Sequence, residues 1–200
     1  QTNNTLNMEP ITLYIPEDHK LNNAQLLAIC ERNDHLRIET DKAQNLMIMS
    51  PTGYETGNLN SELLIELGTW NRNAQAGRVL DSSTGFKLPD GTIKSPDVSW
   101  VEKSRDESLS PDQRKRFAPI CPDFVIELRS QSDTLSVLQE KMQQWLNNGC
   151  RLAWLIDPEN RHACIYRPQS QPEQIEITPE TTLSGGDILQ GFTLQIGKLL

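Results

Sequence analysis

Histidine and aromatic residues are scarce in this chain, with three His and 6% Phe, Trp and Tyr. His19, His35 and His162 stand too far apart to make a metal-ligand spacing, so each reads as structural. The four cysteines, Cys30, Cys121, Cys150 and Cys164, contain no CxxC pair, which argues for reduced thiols in a cytoplasm over two disulfides. Long apolar runs are missing as well: Leu63-Leu64-Ile65 falls far below the ~20 residues of a membrane helix. Gln1 to Asn7 show neither a basic n-region nor an apolar h-region, so no secretion signal is read there. No GxSxG elbow, GxxxxGK[ST] loop, GxGxxG turn or HExxH helix occurs. Nor is there an excess of positive charge. With 19 Lys+Arg against 27 Asp+Glu the net charge is −8, unlike a dedicated non-specific duplex binder. A local basic face can still coexist with an acidic total.

What is present is enough chain for one domain. Its 200 residues can bury roughly 70% of the unfolded surface without a disulfide or metal scaffold. Residues 1–50 read as an N-terminal arm, a short helix and strands packed on a core formed by 51–200. Ile11-Thr-Leu-Tyr-Ile15 alternates like an arm or edge strand, residues 21–32 can form a helix, and Leu36–Glu39 and Asn45–Met49 are strand-like. From Thr56 to Gln75, Leu59, Leu63, Leu67, Trp70 and Ala74 draw one helical stripe, with Gly77 as terminator. Strand pieces follow at 78–81, 85–88 and 97–101, then a charged segment, 102–122, expected as a loop with a helical turn. Phe124–Leu128 is a compact strand. A helix is predicted over 134–148, capped by Asp133 and closed by a left-handed Gly149. Leu152–Ile156, His162–Tyr166 and Gln174–Ile177 continue as strands. The order predicts a mixed α/β chain with one central sheet.

One constellation carries chemistry. Asp97 opens the apolar run Val98–Val101, and Glu127 interrupts the apolar strand Val125–Leu128. Lys141 lies on the following helix, at 100° per residue about 60° from Leu138 and about 40° from Trp145, at the edge of the apolar stripe. An acid in an apolar strand and a lysine beside a buried stripe both require partners. A divalent cation together with the ammonium would compensate both carboxylates. An outward-facing acid and a snorkelling lysine are the plainer alternative.

Pro96-Asp97, Glu127-Leu-Arg-Ser130, the helix around Lys141 and the strand Leu152–Pro158 resemble the Uma-type "putative restriction endonuclease" family, a bacterial branch of the PD-(D/E)xK nuclease superfamily. The resemblance runs from about Pro51 to the C-terminus and is most specific over 96–158. It implies a restriction-endonuclease-like mixed sheet flanked by helices, with additional N- and C-terminal strands. Asp97 matches the PD aspartate, Glu127 the (D/E) position, and Lys141 a lysine that this family carries on the helix. A further glutamate is expected from the first core helix, Glu55 first and Glu62 second. The residue two after Glu127 is Arg129, Thr56 stands where a histidine is usual, and Val137 where many relatives carry Asp.

The resemblance thus implies a metal-dependent endonuclease, with Asp97, Glu127 and the Leu128 carbonyl as hard oxygen ligands for Mg²⁺ or Mn²⁺. Lys141 would orient or deprotonate the attacking water. Arg114, Lys115 and Arg116, with Lys103 and Arg105, are candidate DNA phosphate contacts or a solvated loop, and Arg129 either binds phosphate or pairs with an acid. Trp100 is a candidate for stacking on a base. A homodimer is expected by analogy, and strands 162–196 offer one interface for it. The rival reading is an inactive nuclease-fold module that binds nucleic acid or protein.

Overall fold

The computed structural model describes residues 10–131 and 133–200, so positions 1–9 of the expected arm lie outside the described residues. Short alternating segments build the first layer: β1 (Ile11–Leu13), β2 (Arg37–Thr40) and β3 (Leu46–Met49) form an antiparallel sheet in the order β1-β3-β2. Helix α1 (Asn23–Arg32) leads into β2. It starts on a capping box, the Asn22 side chain accepting from Gln25 N–H while the Gln25 side chain accepts from Asn22 N–H.

Helix α2 (Tyr54–Ala74) follows its apolar rhythm and buries Leu59, Leu63 and Leu67. It ends not at Gly77 but at Gln75, whose left-handed backbone (φ 52°) directs its N–H to Asn71 O. Gly77 opens β4 (Gly77–Leu80), where a Cβ would lie 2.1 Å from Val101 O and 2.7 Å from the Trp100 ring. That close approach is why glycine stands there.

Strands β5 (Phe86–Lys87) and β6 (Ile93–Lys94) form a small hairpin before β7 (Val98–Glu102). The segment expected as a loop holds two short helices, α3 (Lys103–Glu107) and α4 (Pro111–Arg114). Strand β8 (Phe124–Leu128), helix α5 (Leu135–Asn147) and strand β9 (Leu152–Asp157) follow, then β10 (His162–Tyr166) and β11 (Glu173–Glu176). Asp133 does not cap α5. Its Oδ2 accepts from the Ser130 N–H and hydroxyl, both at 2.7 Å, and closes the preceding loop. Gly149 takes the expected positive φ, 106°, after the last turn.

The central sheet has six strands in the order β11-β10-β9-β8-β7-β4. Only β8 and β9 pair in parallel, and α5 is the crossover between them. Strand alternation sends Val98, Trp100, Phe124 and Ile126 into one core with α2, while Val101 and Val125 enter a second core with Leu138, Met142 and Trp145 of α5. Helices therefore cover both faces of a mixed sheet, the α/β class that the sequence predicts. Among the described residues no helix is long and apolar enough to cross a membrane, and all four cysteines are unpaired.

Candidate active site

Register positions the two strand acids. Strands β7 and β8 pair antiparallel with Val98 opposite Ile126, so one further step sets Asp97 opposite Glu127. Because Val98 and Ile126 turn toward α2, their neighbours Asp97 and Glu127 turn to the α5 face. Asp97 Oδ2 accepts from Leu128 N–H at 2.8 Å, tying the two strand ends together.

Helix α5 supplies the next two groups from adjacent turns. Lys141 Nζ lies 3.0 Å from Glu127 Oε1 and 3.1 Å from Oε2, and Trp145 Nε1 donates to Oε1 at 2.8 Å. The predicted stripe-edge position of Lys141 is thus an approach to Glu127 across the packed helix–sheet layer. Lys141 also donates to Ser95 O at 3.3 Å and to Glu39 Oε1 at 3.2 Å.

Glu39 enters from β2 of the small sheet. It is 2% exposed and accepts from Ser95 N–H, while Lys94 Nζ lies 3.4 Å from its Oε2. Thr40 Oγ1 accepts from Ile93 N–H at 2.8 Å, so β2 is docked on β6 by two consecutive side chains. Arg37, two residues earlier on the same strand face, reaches Asp97 Oδ1 at 3.4 Å and Glu39 Oε1 at 3.5 Å and donates to Ser95 O. Three acids, Glu39, Asp97 and Glu127, are interleaved with three cations, Arg37, Lys94 and Lys141.

Burial and charge act unequally on these groups. Burial pushes Glu127 up to about 7, with the Asp97 and Glu39 charges adding to the rise against the pull of Lys141 and Arg37. Burial would also raise Glu39, but Lys141, Lys94 and Arg37 outweigh it and hold Glu39 down to about 2. For Lys141, burial favours the neutral amine, yet Glu127 and Glu39 more than offset it and its pKa is raised. At neutral pH Lys141 is an ammonium, a donor rather than a base.

The other predicted residues lie elsewhere. Glu55 and Glu62 sit on α2, which packs on the opposite sheet face, and neither makes a hydrogen bond or ion pair with Asp97, Glu127 or Lys141. Arg129 pairs with Asp157 at 2.6 Å. Arg114 is bound to Asp106 at 2.8 Å, and Arg105 to Asp123 at 2.7 Å. Lys115 and Arg116 are exposed and line hollows against Ala24 and Leu27 of α1. Trp100 is 2% exposed, with its Nε1 on Asn71, so it is core and cannot stack on a base. The histidines take no part in the acid cluster.

Glu39, Arg37 and Lys94 are cluster residues that sequence reasoning misses. In Leu36-Arg-Ile-Glu39 the first two alternate with Ile38, the pattern of a strand whose polar face is solvated. The signal for them is tertiary: this polar face is covered by the 94–97 segment and α5.

Two carboxylates and a backbone carbonyl suit a hard cation. Among the described residues no three His, Cys, Asp or Glu side chains form a ready cluster for a metal. Mg²⁺ requires fewer protein ligands, because it retains waters and binds through one or two carboxylates plus substrate phosphate oxygens. Asp97 fits such a role: Leu128 N–H fixes one oxygen and leaves Oδ1 toward Arg37.

Comparison with known proteins agrees with this architecture. A crystal structure described as a putative nuclease belonging to DUF820, from Anabaena variabilis ATCC 29413, superposes with a TM-score of 0.72 at 20% identity, covering 93% of this chain and 97% of its own. The DrdV–DNA complex overlaps 58% of this chain and 10% of its own, at 14% identity and a TM-score of 0.37, too slight a likeness to carry an argument. No curated protein sequence matches the chain. The family model described as "Putative restriction endonuclease" matches residues 24–197, and the chain therefore belongs to the Uma2 family.

Proposed function

We propose that the protein is a divalent-metal-dependent endonuclease that hydrolyses phosphodiester bonds in DNA. The observation that carries this reading is the meeting of Asp97, Glu127 and Lys141 on one sheet face, with the lysine 3.0 Å from Glu127. Asp97, Glu127 and the Leu128 carbonyl would hold Mg²⁺ or Mn²⁺. Bound there, such an ion would supply Lewis acidity to activate water and positive charge to offset that of the scissile phosphate. The chain's own part is positioning. Lys141, kept cationic by two acids, donates toward the attacking water and the developing negative charge. Trp145 and Lys141 fix the Glu127 rotamer, and Leu128 N–H fixes Asp97. A homodimer belongs to this reading, each copy cutting one strand; sedimentation giving twice the chain mass supports it, and a monomer under cleaving conditions refutes it.

The test is cleavage of supercoiled plasmid and of single-stranded DNA with Mg²⁺, Mn²⁺ or EDTA, comparing the natural chain with Asp97→Ala and Glu127→Ala. Cleavage that needs the ion and falls by about a hundredfold or more in both variants supports the function. Equal activity in all three proteins rejects it. One observation favours a binding module instead: Arg129, where the superfamily has its lysine, is tied to Asp157. Tight DNA binding without turnover and without need of a metal would select that reading.

A further inference from the structure

The three cations of the cluster are not equivalent. Lys94 has a side chain 7% exposed, and Glu39 is its ion-pair partner. Lys141 is 13% exposed and held by Glu127, Glu39 and Ser95 O. Arg37 is 28% exposed, and its contacts with Asp97 and Glu39, 3.4 and 3.5 Å, are long for a guanidinium. Elsewhere in the chain Arg129 meets Asp157 at 2.6 Å and Arg105 meets Asp123 at 2.7 Å. Arg37 Nε is buried with no acceptor among the described residues. The guanidinium is anchored on Ser95 O but loosely held by its acids, at the side of the cluster where Asp97 is 20% exposed.

Asp97 has the complementary property. Its Oδ2 is committed to Leu128 N–H, and its Oδ1 faces Arg37 alone among the described residues. A dication taken up by Asp97 must therefore compete with Arg37 for one oxygen.

We infer that Arg37 is a phosphate-binding residue that shares Asp97 with the divalent cation. In the free protein the guanidinium neutralises Asp97. Once Oδ1 is committed to a cation, the guanidinium keeps Ser95 O and turns its remaining donors to a non-bridging oxygen of the phosphodiester. Its planar fork suits a phosphate, and its charge is fixed at every working pH. This role rests on the nuclease reading above, but it has its own signature: removing Arg37 changes metal binding and DNA binding in opposite directions.

The experiment measures Mn²⁺ affinity by electron paramagnetic resonance of the free ion. It also measures affinity for a fluorescent duplex by anisotropy in Ca²⁺. The proteins compared are the natural chain, Arg37→Gln, Arg37→Lys, Asp97→Ala and Glu127→Ala. Arg37→Gln should bind Mn²⁺ about tenfold more tightly, because a competing cation is gone. It should bind the duplex about tenfold more weakly, because a charge-assisted phosphate contact is lost. Mn²⁺ affinity that is unchanged or weaker, or an unchanged duplex affinity, overturns the proposal. If Arg37→Gln does not fold, Arg37→Lys decides: retained charge keeps Mn²⁺ binding within about twofold, while loss of the fork weakens the duplex by about threefold or more. Parallel losses in both, or no loss in duplex binding, overturn it there too. Undiminished Mn²⁺ binding in Asp97→Ala and Glu127→Ala would instead reject the nuclease reading, a separate result.

Discussion

The indole of Trp145 donates to Glu127 Oε1 at 2.8 Å, one helical turn beyond the lysine that grips the same carboxylate. Both partners are buried, Trp145 to 1% and Glu127 to 2% exposure, so no water replaces the bond when it is lost. Trp145→Phe retains much of the packing and removes this donor. Above pH 7, where Glu127 is ionised, a hydrogen bond to this charged group contributes about 1.5–3 kcal/mol, and the variant should lose about 2 kcal/mol of stability. Urea unfolding checks this through a lowered midpoint with an unaltered slope.

Glu39 gives the fold an acid-sensitive joint. Its folded pKa of about 2 lies below its ordinary value of 4.5, so its stabilising contribution is present in full above that value and disappears as pH falls toward 2. Glu39→Gln leaves Lys94 and part of the Lys141 and Arg37 charge without a counter-ion. Breaking a buried pair in this way costs about 3–5 kcal/mol. Thermal unfolding of both proteins from pH 7 to pH 2 should show a large gap at neutral pH that closes as the solution is acidified. A gap that stays constant with pH would mean that Glu39 contributes through shape instead of charge.

Gly77→Ala tests the pairing of β4 with β7. The new Cβ would lie 2.1 Å from a backbone oxygen, Val101 O, which cannot rotate away as a flexible side-chain end can. The β4 edge must shift, at a cost of about 1–3 kcal/mol or more. Chemical denaturation measures it, and a neutral result would contradict this strand pairing.

Thiol reactivity reports on the second core. Burial pushes Cys121 up to about 12 and Cys150 well above its ordinary value. Cys30 and Cys164 are half-buried and raised less. With Ellman's reagent at pH 8, Cys30 and Cys164 should react first, and Cys121 and Cys150 only on unfolding. Four thiols reacting together in the native protein would contradict the packing of Cys121 and Cys150 beside Trp145.

Much of the architecture is legible from local pattern. The bounds of β8 coincide with the predicted Phe124–Leu128, because an apolar run bounded by polar residues has one reading in a buried sheet. The stripe of α5 places Lys141 correctly because helical periodicity fixes angles between neighbours. Asp133 misleads, since a side chain able to cap a helix can equally close the loop before it. Arg129 is undecided by sequence because Asp157 lies on the next strand, a partner that only the parallel pairing of β8 with β9 brings near.

By itself the sequence determined the class of fold, the face of α5 that carries Lys141, and the presence of one acid inside an apolar strand and another at the start of a second. These are consequences of spacing along a few turns or a few strand residues. Tertiary structure alone decided that these acids turn inward and that Arg37, Lys94 and Glu39 join Lys141 around them. Glu39 and Lys141 are 102 residues apart, and their contact exists because the small sheet docks its polar face over the 94–97 segment. Secondary-structure periodicity acts between neighbours along the chain, whereas the balance of buried charge is set by whatever packing brings within a few ångströms.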